Sequence, residues 1–600
     1  MRASPTPRRP SSVTSSTKVS SRHGVPTTTV STSTIFMDTS GGLVRCLMTG
    51  RLPVQVMKGK VVRGKEVSVK AATSAARGPH DRPEPDDQVH EGPAFDQGYD
   101  PRTGAPVGEP VPHTSPAELD QVCRAAAGAA AALAAMPPSQ RAGLLRAVAD
   151  ALGSHADEVI ALADAETALG TGRLTGELAR TRRQLEMFAD VLAEGSFLEV
   201  VIDPPDPQAQ PAPRPDLRRM LLPMGPVAVY AASNFPLAFS IAGGDTASAL
   251  AAGCPVVVKA HPGHPRLSVR CGEIVAAALA QAGAPEGTFA VVFGFAAGRE
   301  LVQHPAITAA GFTGSLAGGR ALFDLAAARP DPIPFYGEMG ALNPVVVTPG
   351  ALAARADEIV SGFVGSYLLG TGQFCTKPGL VFLPAGHGLE ARLVEAVAGT
   401  STGPLLNARI RDGYARTSAE LVAVPGVRSL LDDQPAPAGS GWLAAPQLLA
   451  VSAGGLTAHA EELLRECFGP AALLVEYAST AELLAGLDAV PGSLTGTLHA
   501  NVDAEAELVG PVMDRLTAKA GRVIVGGWPT GVAVTWAMHH GGPWPATTNS
   551  AHTSVGVTAI RRFQRPVVFQ DTPARLLPPA LRDDNPWRLP RRVNGVLQTP

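Results

Sequence analysis

The chain has few of the features that mark a disulfide-rich, metal-binding or membrane-spanning protein. Its six cysteines include no Cys-x-x-Cys pair, so we expect neither a disulfide framework nor a bound metal. No stretch approaches the ~18 consecutive apolar residues of a transmembrane helix. Aromatic residues are only 5% of the chain, and none alternates with the basic residues near the N-terminus. We therefore expect a cytoplasmic protein with no nucleic-acid or membrane partner.

The net charge of −3 hides two segments of unlike composition. Residues 1–77 hold 13 Lys and Arg but two acidic residues, so the other 523 residues carry a net charge of −14. The basic segment has too little apolar periodicity to form a core, and we interpret residues 1–96 as a disordered extension and linker. A transit peptide or a start codon assigned too far upstream would also explain it.

From about residue 115 the sequence favours regular structure. Amphipathic helices are expected between residues 115 and 195, and repeated prolines over 199–223 forbid a helix there. Short apolar strands then alternate with helices, among them a helix predicted over Leu237–Ala252. This order is typical of an α/β fold, in which a parallel sheet covered on both faces binds ligands at the carboxyl ends of its strands.

The G-x-G-x-x-G fingerprint of dinucleotide-binding proteins is absent from this α/β region. The nearest feature is Gly311-Phe-Thr-Gly-Ser315, where a predicted strand ends and a helix begins with a small polar residue. The free backbone N–H groups at such a helix start favour a phosphate. Taken alone, the motif could equally be a helix cap that serves only stability.

Cys375 lies in a glycine-dense loop, Leu369-Gly-Thr-Gly-Gln-Phe-Cys375-Thr-Lys-Pro-Gly379. A structural cysteine needs no such loop, whereas a nucleophilic cysteine needs an accessible thiolate with backbone donors nearby. Upstream, Glu338 stands between glycines just before the apolar run Asn343–Val347. A carboxylate there is either a paired structural charge or a base with a raised pKa.

Six motifs, in order, resemble the aldehyde dehydrogenase family over about residues 97–575. These motifs are Ser233-Asn-Phe-Pro236, Pro255-Val-Val-Val-Lys259, Gly311-Phe-Thr-Gly-Ser315, Gly337-Glu-Met-Gly340, Gly372-Gln-Phe-Cys375 and Glu466-Cys-Phe-Gly-Pro470. Gly527-Trp-Pro-Thr-Gly531 and His540-Gly-Gly-Pro-Trp-Pro-Ala-Thr547 resemble its α-ketoglutaric semialdehyde (2,5-dioxovalerate) dehydrogenase branch. The resemblance implies a Rossmann-type cofactor domain, an α/β catalytic domain and a small oligomerisation element.

The resemblance assigns three catalytic residues. Cys375 would attack the aldehyde carbon, and its backbone N–H would hold the oxyanion together with the side-chain amide of Asn234. Glu338 would activate the water that hydrolyses the thioester left after hydride transfer. Without the resemblance, Asn234 could be merely a turn residue before Phe235 and Pro236.

The resemblance also implies how a cofactor binds. Ser315 would cap the pyrophosphate, Lys259 would contact the adenosine ribose, and Glu466 would bind the nicotinamide ribose. Gly314 and Phe468 are expected to contact the cofactor too. From the residues alone, Lys259 could be a sheet-edge lysine and Glu466 a surface charge.

The cofactor expected is NADP, with NAD as the alternative. NAD-preferring relatives commonly carry a glutamate three residues after the lysine, whereas Lys259-Ala-His261-Pro262 has a proline there. A carboxylate would repel a 2′-phosphate, so its absence removes an obstacle to NADP. His261, His264 or Arg266 could meet that phosphate, or all three could be ordinary loop residues.

The small-molecule substrate implied by the resemblance is the aldehyde 2,5-dioxopentanoate, which would be oxidised to 2-oxoglutarate. Its distal carboxylate needs a cationic partner, and Arg180 and Arg183 are spaced i, i+3 on a predicted helix and share a face. The alternative for these arginines is a solvated charged stripe. Rival activities are oxidation of fatty or other aldehydes, CoA-dependent release of the thioester, cofactor-free cysteine hydrolysis and a non-enzymatic scaffold.

The predicted domains follow from the motifs. Residues 97–200 and 224–338 would form the cofactor domain, and residues 339–550 the catalytic domain. Residues 201–223 and 551–575 would form a bridging element, and residues 576–600 a C-terminal tail. The resemblance implies that the bridging element pairs across subunits of a homodimer or homotetramer, and such pairing would cover an edge strand left open in a monomer.

Overall fold

The computed structural model describes residues 94–431 and 439–600, all within one compact unit that begins at residue 77. The predicted basic extension and linker therefore lie outside the described residues, apart from positions 94–96. No helix of the described part is long and apolar enough to cross a membrane.

The described residues form 15 α-helices and 19 β-strands. The helices are α1 (Pro116–Ala135), α2 (Pro138–Ser154), α3 (Ala156–Thr167), α4 (Thr171–Glu194), α5 (Gly244–Ala252), α6 (Pro265–Gln281), α7 (Phe295–Gln303), α8 (Leu316–Ala327), α9 (Pro349–Tyr367), α10 (Glu390–Ala398), α11 (Ala408–Val422), α12 (Ala453–Ala458), α13 (Ala460–Leu463), α14 (Thr480–Ala489) and α15 (Ala506–Lys519). The strands are β1 (Phe95–Asp100), β2 (Ala105–Pro112), β3 (Val201–Asp203), β4 (Leu217–Pro223), β5 (Val227–Tyr230), β6 (Val256–Lys259), β7 (Phe289–Val292), β8 (Ala309–Thr313), β9 (Phe335–Glu338), β10 (Pro344–Val347), β11 (Leu380–Pro384), β12 (Arg428–Ser429), β13 (Gln447–Ser452), β14 (Ala471–Tyr477), β15 (Ser493–His499), β16 (Ala520–Val525), β17 (Gln564–Gln570), β18 (Arg591–Val593) and β19 (Val596–Gln598).

The first sheet carries five parallel strands in the order β7-β6-β5-β8-β9. Every residue of β5 and β6 is buried, as expected of central strands covered on both faces. The chain runs from β5 to β6 on one side and later returns to β8 on the other side, so the strand order reverses beside β5. Such a reversal opens a ligand-binding crevice at the carboxyl ends of the strands.

One predicted helix begins later than expected. The prediction covered Leu237–Ala252, but α5 starts only at Gly244 and the residues before it form turns. The buried carboxylate of Glu177, on α4, accepts hydrogen bonds from the backbone N–H groups of Leu237 (2.8 Å) and Ala238 (3.0 Å). Gly243 lies against Ala238 O and Ser240 N, so closely that a Cβ there would overlap both atoms, and this close approach belongs to a chain of turns rather than to a helix.

The second sheet has seven strands in the order β12-β13-β14-β11-β10-β15-β16, parallel except for the short edge strand β12. Valine and leucine fill β10, β11 and β14, where almost every position is buried. The first sheet ends its last strand at Glu338, and the second sheet begins at Pro344. Residues 339–343 thus carry the chain from one sheet to the other.

A third sheet, in the order β17-β4-β3-β18-β19, joins the segments 201–223 and 551–575. β17 pairs antiparallel with the whole of β4. The C-terminal segment 576–600, expected to be a tail, also enters this sheet, because β18 pairs with β3 and forms a hairpin with β19. The hairpin covers the edge that β3 would otherwise leave open, so the element extends well beyond residue 575.

A buried ion pair connects the turn that leads into the third sheet to helix α5, which lies beside the first sheet. The turn Val557–Phe563, which leads into β17, packs against α5. Arg562 Nη2 donates to Asp245 Oδ1 at 2.7 Å and to Ser248 Oγ at 3.2 Å. Both charged side chains are less than a tenth exposed. Removing one partner of such a pair leaves an uncompensated charge in the interior.

We expect Arg562→Ala to lower the free energy of unfolding by about 3–5 kcal/mol, because Asp245 would stay buried without its partner. Arg561→Ala is the matched control, since Arg561 pairs with Glu199 near the surface and such pairs contribute about 0–1 kcal/mol. Urea unfolding followed by tryptophan fluorescence measures both variants. Equal losses in the two would contradict the burial argument.

Candidate active site

Glu338 is the last residue of β9, at the carboxyl edge of the first sheet, and only 3% of it is exposed. The chain segment that follows β16, the last strand of the second sheet, lies beside Glu338. Met339 N–H donates to Ala546 O at 2.8 Å, and Thr547 forms an isolated bridge with Glu338. Ser554 Oγ donates a hydrogen bond to Glu338 Oε2. The carboxylate is therefore held in the interior by contacts from both sides.

Cys375 lies in the loop between α9 and β11, after a turn in which three consecutive residues have positive φ. These residues are Gly370, Thr371 and Gly372 (57°, 58° and 69°). Glycine is required at position 372, because a Cβ there would overlap the backbone oxygen of Gly469. The thiol is half-buried, so the loop presents it without sealing it in the core.

The imidazole of His540 lies between the thiol and the carboxylate. Its Nε2 is 3.5 Å from Cys375 Sγ and 2.8 Å from Glu338 Oε1. His540 N–H donates to Thr553 Oγ1 at 2.7 Å, and Ser554 N–H donates to His540 O at 3.1 Å. The ring is 1% exposed. The thiol of Cys375, the imidazole of His540 and the carboxylate of Glu338 thus lie next to one another.

The surroundings of Cys375 keep it protonated. Burial raises the pKa of this thiol well above its usual value, and the negative charges of Glu338 and Glu466 raise it further. Arg180 and the backbone N–H of Thr376 act in the opposite direction but do not outweigh these effects. The thiol therefore needs a nearby base before it can act as a nucleophile.

For Glu338 the neighbouring groups outweigh the effect of burial on the pKa. Burial acts to raise the pKa of this carboxyl, but the charge and hydrogen bond of His540, the hydroxyl of Ser554 and the charge of Arg562 outweigh it. The pKa of Glu338 consequently lies below its usual value. At neutral pH the side chain is ionised and can accept a proton.

Asn234 lies beside the cysteine loop. Its Nδ2 donates to Gln373 O at 3.0 Å, two residues before Cys375. Its backbone oxygen accepts a hydrogen bond from Arg173 Nη2 at 2.6 Å, and the Arg173 guanidinium lies 5.0 Å from the ring of Phe374. Arg173, which sequence reasoning missed, therefore ties Asn234 to the loop that carries the nucleophile.

Arg180 approaches the site from α4. Its guanidinium carbon lies 5.5 Å from the ring centre of Phe235 and 5.1 Å from that of Phe239, whose ring lies 6.5 Å from that of His540. The Nε and Nη2 atoms of Arg180 are buried and have no hydrogen-bond partner among the described residues. Burial lowers the pKa of Arg180, while Glu177 acts to raise it. The guanidinium of Arg180 therefore borders the site with two donor atoms that no described residue accepts.

Arg183 does not reach the site. Its side chain is 60% exposed and pairs with Glu186 (3.4 Å) and Asp190 (3.6 Å). A step of three residues rotates a side chain about 60° around a helix, whereas a step of seven rotates it only about 20°. The residue that shares the inward face with Arg180 is therefore Arg173, which corrects the predicted pairing of Arg180 with Arg183.

Glu466 lies where two loops meet, with the half-buried Phe468 two residues later. Burial raises the pKa of Glu466 to about 7, although the charge of Lys377 and a hydrogen bond from the backbone of Ala341 lower it in part. Glycine is needed at position 340, because a Cβ there would overlap the Glu466 carboxylate.

Lys377 connects the cysteine loop to the loop of Glu466. Its Nζ donates to Cys467 O (2.7 Å), Gly469 O (3.0 Å) and Ala471 O (2.7 Å), and the residue is 3% exposed. Sequence reasoning gave it no role. The available signal was composition, because only three lysines follow residue 77, and a lysine kept in such a body has a specific partner.

Asn343 holds the other side of the cysteine loop. Its Nδ2 donates to Cys375 O at 2.7 Å and to Lys377 O at 2.9 Å, and its Oδ1 accepts from the backbone N–H of Thr495 at 3.1 Å. The residue is fully buried. A single amide thus attaches the loop to β15 of the second sheet.

The residues expected to meet a cofactor lie at the carboxyl edge of the first sheet. Lys259 ends β6, and Ser315 follows β8 as the N-cap of α8, where its Oγ accepts from Gly318 N–H at 3.2 Å. Gly314 N–H donates to Glu338 O at 3.1 Å. Gly314 and Ser315 are exposed, so the N-terminus of α8 is open to a ligand next to the carboxylate.

The three candidates for a 2′-phosphate partner differ in position. His264 is fully buried, and both of its ring nitrogens contact protein atoms, so it cannot meet a ligand. Arg266 packs against Gly108 of β2, where a Cβ would overlap the guanidinium. His261 is half-buried two residues after β6, and it is the candidate that the structure leaves available for this role.

Two groups of side chains in the described residues have the spacing of metal ligands. One is Glu338, Cys375 and His540, whose ligand atoms lie within 4.8 Å of one another. The other is His387, Glu390 and Glu476. In that second group Arg428 Nη2 already bonds both carboxylates, at 2.8 and 3.1 Å, and so supplies the positive charge that a metal would supply.

The model of the aldehyde dehydrogenase family matches residues 94–548. This chain belongs to that family. The chain is 46% identical over 505 residues to alpha-ketoglutaric semialdehyde dehydrogenase 2 of Azospirillum brasilense, which covers 83% of this chain and 95% of that protein. It is 43% identical over 486 residues to the alpha-ketoglutaric semialdehyde dehydrogenase of Acinetobacter baylyi, with 80% and 91% covered.

Solved structures of aldehyde dehydrogenases share the fold. A 1-pyrroline-5-carboxylate dehydrogenase from Thermus, with bound NAD, aligns with a TM-score of 0.67 at 21% identity over 80% of this chain and 90% of that one. A lactaldehyde dehydrogenase aligns with a TM-score of 0.68 at 22% identity over 81% and 97%. The predicted family, fold class and enzyme class are confirmed: the protein is an NAD(P)-dependent aldehyde dehydrogenase.

His540 is the main residue of this aldehyde dehydrogenase site that sequence reasoning missed. It opens the motif His540-Gly-Gly-Pro-Trp-Pro-Ala-Thr547, which served only to show the resemblance. The same holds for Ser554, which follows a few residues later. No spacing rule connects His540 to Cys375 or Ser554 to Glu338, because these contacts span 165 and 216 residues of chain.

We expect Lys377→Met to lower the free energy of unfolding by about 3 kcal/mol, since three buried carbonyls would each lose a donor worth about 1 kcal/mol. We also expect kcat to fall at least about tenfold, because both loops would shift. Lys519→Met is the control, since Lys519 Nζ bonds one carbonyl at an exposed position. Urea unfolding and steady-state kinetics measure the two effects, and full activity in Lys377→Met would contradict them.

Proposed function

We propose that this aldehyde dehydrogenase oxidises 2,5-dioxopentanoate to 2-oxoglutarate, with NADP as its preferred cofactor. The observation that carries the substrate proposal is the guanidinium of Arg180, whose buried Nε and Nη2 have no hydrogen-bond partner among the described residues. A buried cation with unused donors is the expected partner of a substrate carboxylate. The proposal is supported by the two relatives above, both named for α-ketoglutaric semialdehyde, which is 2,5-dioxopentanoate.

The first step forms a bond between Cys375 Sγ and the aldehyde carbon. The ionised carboxylate of Glu338, which has an oxygen within 4.8 Å of Cys375 Sγ, takes the thiol proton. His540 Nε2–H, 3.5 Å from Sγ and 2.8 Å from Glu338 Oε1, donates to the thiolate that forms. The aldehyde oxygen becomes an oxyanion that accepts hydrogen bonds from Cys375 N–H and Asn234 Nδ2. That amide has two hydrogens, of which one bonds Gln373 O and the other is free for the oxyanion.

The second half-reaction releases the acid. A bound NAD(P) would supply the acceptor for the hydride that leaves the carbon attached to Cys375, so that a thioester would remain. Glu338, after losing the thiol proton to solvent, then takes a proton from water as the water oxygen attacks the thioester carbon. The C–S bond breaks, and Glu338 returns this proton to the sulfur. One aldehyde and one water thus give one carboxylic acid, one NAD(P)H and one proton.

The residues present fit a dinucleotide. The open N-terminus of α8 at Gly314 and Ser315 suits a pyrophosphate. The ammonium of Lys259, at the end of β6, suits the adenosine ribose and makes no hydrogen bond within the described residues. Glu466 and Phe468, on the loop that Lys377 holds, would border the nicotinamide end.

We expect His540→Gln to shift the acidic limb of kcat/KM upward by about one pH unit or more, because the thiolate that forms would lose the positive charge of the His540 donor while burial keeps the pKa of the thiol high. Activity should return in part at alkaline pH. His539→Gln, one residue earlier, is the control. Cys375→Ser should abolish oxidation at every pH while cofactor still binds. An unchanged pH profile in His540→Gln would refute the assigned role.

We expect Arg180→Gln to raise KM for 2,5-dioxopentanoate about 10- to 100-fold, the range for a lost charged hydrogen bond. KM for pentanal, which lacks the carboxylate, should stay within about twofold. Arg183→Gln is the matched control, because Arg183 pairs with Glu186 and Asp190 outside the site. Equal effects on both aldehydes would mean that Arg180 does not read the carboxylate.

The same assay separates the rival activities. Long-chain aldehydes with a higher kcat/KM than 2,5-dioxopentanoate would identify a fatty aldehyde dehydrogenase. Turnover that requires coenzyme A would identify an acylating enzyme, which the position of Glu338 beside the nucleophile argues against. Either result would replace the proposed substrate or product.

We further propose that the enzyme acts in the cytoplasm as a homodimer or homotetramer. Support comes from the edges of the sheets. β16 ends the second sheet and β17 ends the third, and both carry exposed valines, Val525 and Val568. Open apolar edges of this kind are normally covered by another chain. Sedimentation of the purified protein would distinguish the two oligomers.

A further inference from the structure

The side chains of Cys375, His540 and Glu338 have a geometry that suits a metal ion. Each offers one ligand atom, and the three atoms lie within 4.8 Å of one another. Cys375 Sγ lies 3.5 Å from His540 Nε2, which lies 2.8 Å from Glu338 Oε1. The three residues come from separate parts of the chain, so the Cys-x-x-Cys spacing that marks many zinc sites in a sequence does not reveal this cluster.

The distances between these atoms are close to those around a tetrahedral zinc ion. Zinc binds sulfur at about 2.3 Å and imidazole nitrogen at about 2.0–2.1 Å, which places two such ligands roughly 3.5 Å apart. The separation of Cys375 Sγ and His540 Nε2 already has this value. The contact between His540 Nε2 and Glu338 Oε1 is shorter and would have to widen by about 0.5 Å.

The donor atoms select the class of metal. A thiolate sulfur, an imidazole nitrogen and a carboxylate oxygen form the mixed ligand set of zinc sites, whereas Mg²⁺ and Ca²⁺ take oxygen ligands. Three protein ligands leave a fourth position for water. Glu338 and His540 are buried, but Cys375 is only half-buried, so an ion can approach from the side of the sulfur.

The charges around the sulfur favour a cation at this point. The carboxylates of Glu338 and Glu466 both act on Cys375, and the opposing charge of Arg180 does not outweigh them. Ser554 Oγ bonds Oε2 of Glu338, which leaves Oε1 beside His540 Nε2. A divalent ion placed between these atoms would compensate both the carboxylate and the thiolate that it binds.

A second group with the spacing of metal ligands, His387, Glu390 and Glu476, provides a comparison within the same chain. Arg428 Nη2 bonds Glu390 Oε1 at 2.8 Å and Glu476 Oε2 at 3.1 Å. A guanidinium cannot lose its charge by deprotonation, so an ion at this second group would have to displace Arg428 from both carboxylates. We therefore expect the second group not to bind zinc.

We propose that Zn²⁺ binds Cys375 Sγ, His540 Nε2 and Glu338 Oε1 and thereby inhibits the enzyme reversibly. The S–H bond of Cys375 breaks as the Zn–S bond forms, and the proton leaves to solvent. His540 offers the lone pair of Nε2 and carries its ring proton on Nδ1. The sulfur can then no longer attack an aldehyde, and Glu338 can no longer accept a proton. This inference goes beyond the proposed oxidation, because it assigns the site a metal ligand.

The surroundings of His540 indicate that the ion is removable. The ring is 1% exposed, and its Nδ1 is buried with no hydrogen-bond partner among the described residues. Histidines that bind metals normally donate their other ring N–H to a carboxylate, carbonyl or water, and losing such a bond lowers metal affinity about 10- to 100-fold. We therefore expect a chelator to empty the site, unlike a structural zinc site.

The test measures zinc binding to the full-length protein by isothermal titration in the absence of aldehyde. We expect the unaltered protein and His387→Ala to bind one Zn²⁺ with equal affinity. Cys375→Ser and His540→Gln should bind it at least about 100-fold more weakly, since each lacks a direct ligand. Titration of the same variants with NAD(P) checks that they are folded. With Co²⁺ in place of Zn²⁺, the unaltered protein should show a thiolate-to-cobalt charge-transfer band that Cys375→Ser lacks.

Two further measurements use only the unaltered protein. Zn²⁺ should inhibit aldehyde oxidation, excess EDTA should restore it, and Mg²⁺ should have no effect. Zn²⁺ should also slow the alkylation of Cys375 by iodoacetamide, which mass spectrometry of the peptide that carries this residue measures.

Three results would overturn the proposal. They are unchanged zinc affinity in Cys375→Ser, loss of zinc binding in His387→Ala, and alkylation of Cys375 that Zn²⁺ does not slow. The titrations and the alkylation contain no aldehyde, so a wrong substrate or cofactor preference would not change them. Conversely, oxidation of 2,5-dioxopentanoate that Zn²⁺ leaves unaffected would uphold the proposed function while the metal site failed.

Discussion

The active site depends on one buried ammonium. Lys377 follows the nucleophile by two residues, and its Nζ bonds three carbonyl oxygens in and after the loop of Glu466. Because a buried ammonium must be surrounded by acceptors, the loop of Cys375 and the loop of Glu466 have to lie together. Asn343 completes the constraint by bonding the carbonyls of Cys375 and Lys377 from the other side. The backbone of Cys375 is thus fixed by these contacts, and its thiol is left to contact His540 Nε2 at 3.5 Å.

Burial and charge then divide the chemistry between neighbouring groups. The same desolvation acts on Cys375 and Glu338, but Glu338 has His540 and Ser554 as partners and stays ionised, whereas Cys375 stays protonated. A proton therefore has a direction in which to move, from the sulfur of Cys375 to the carboxylate of Glu338. The groups come from the end of the first sheet, a loop of the second sheet and the segment before the third, so three separate parts of the chain contribute to one reaction.

The α/β class and the family could be predicted from the sequence, because strand–helix alternation and the glycine-rich loop around Cys375 are local patterns. Features that depend on contacts between residues far apart in the chain could not be predicted. His540 meets Cys375 across 165 positions, Glu177 bonds the backbone N–H groups of Leu237 and Ala238 in the turns before α5, and β18 of the C-terminal hairpin pairs with the edge of β3. The sequence correctly predicted a helix at Arg180. The arginine that faces the site together with Arg180 is Arg173, two turns earlier on that helix, and a spacing of three residues cannot indicate it.

The protonated state of Cys375 also affects how long the enzyme survives. Peroxides and alkylating agents attack thiolates far faster than thiols, and a cysteine oxidised beyond the sulfenic acid is lost for good. The burial and the two nearby carboxylates that hold the proton on this sulfur therefore shield it from oxidative damage between turnovers. The sulfur of Cys375 therefore stays a protonated thiol of low reactivity until a substrate binds, although the substrate is itself a reactive aldehyde.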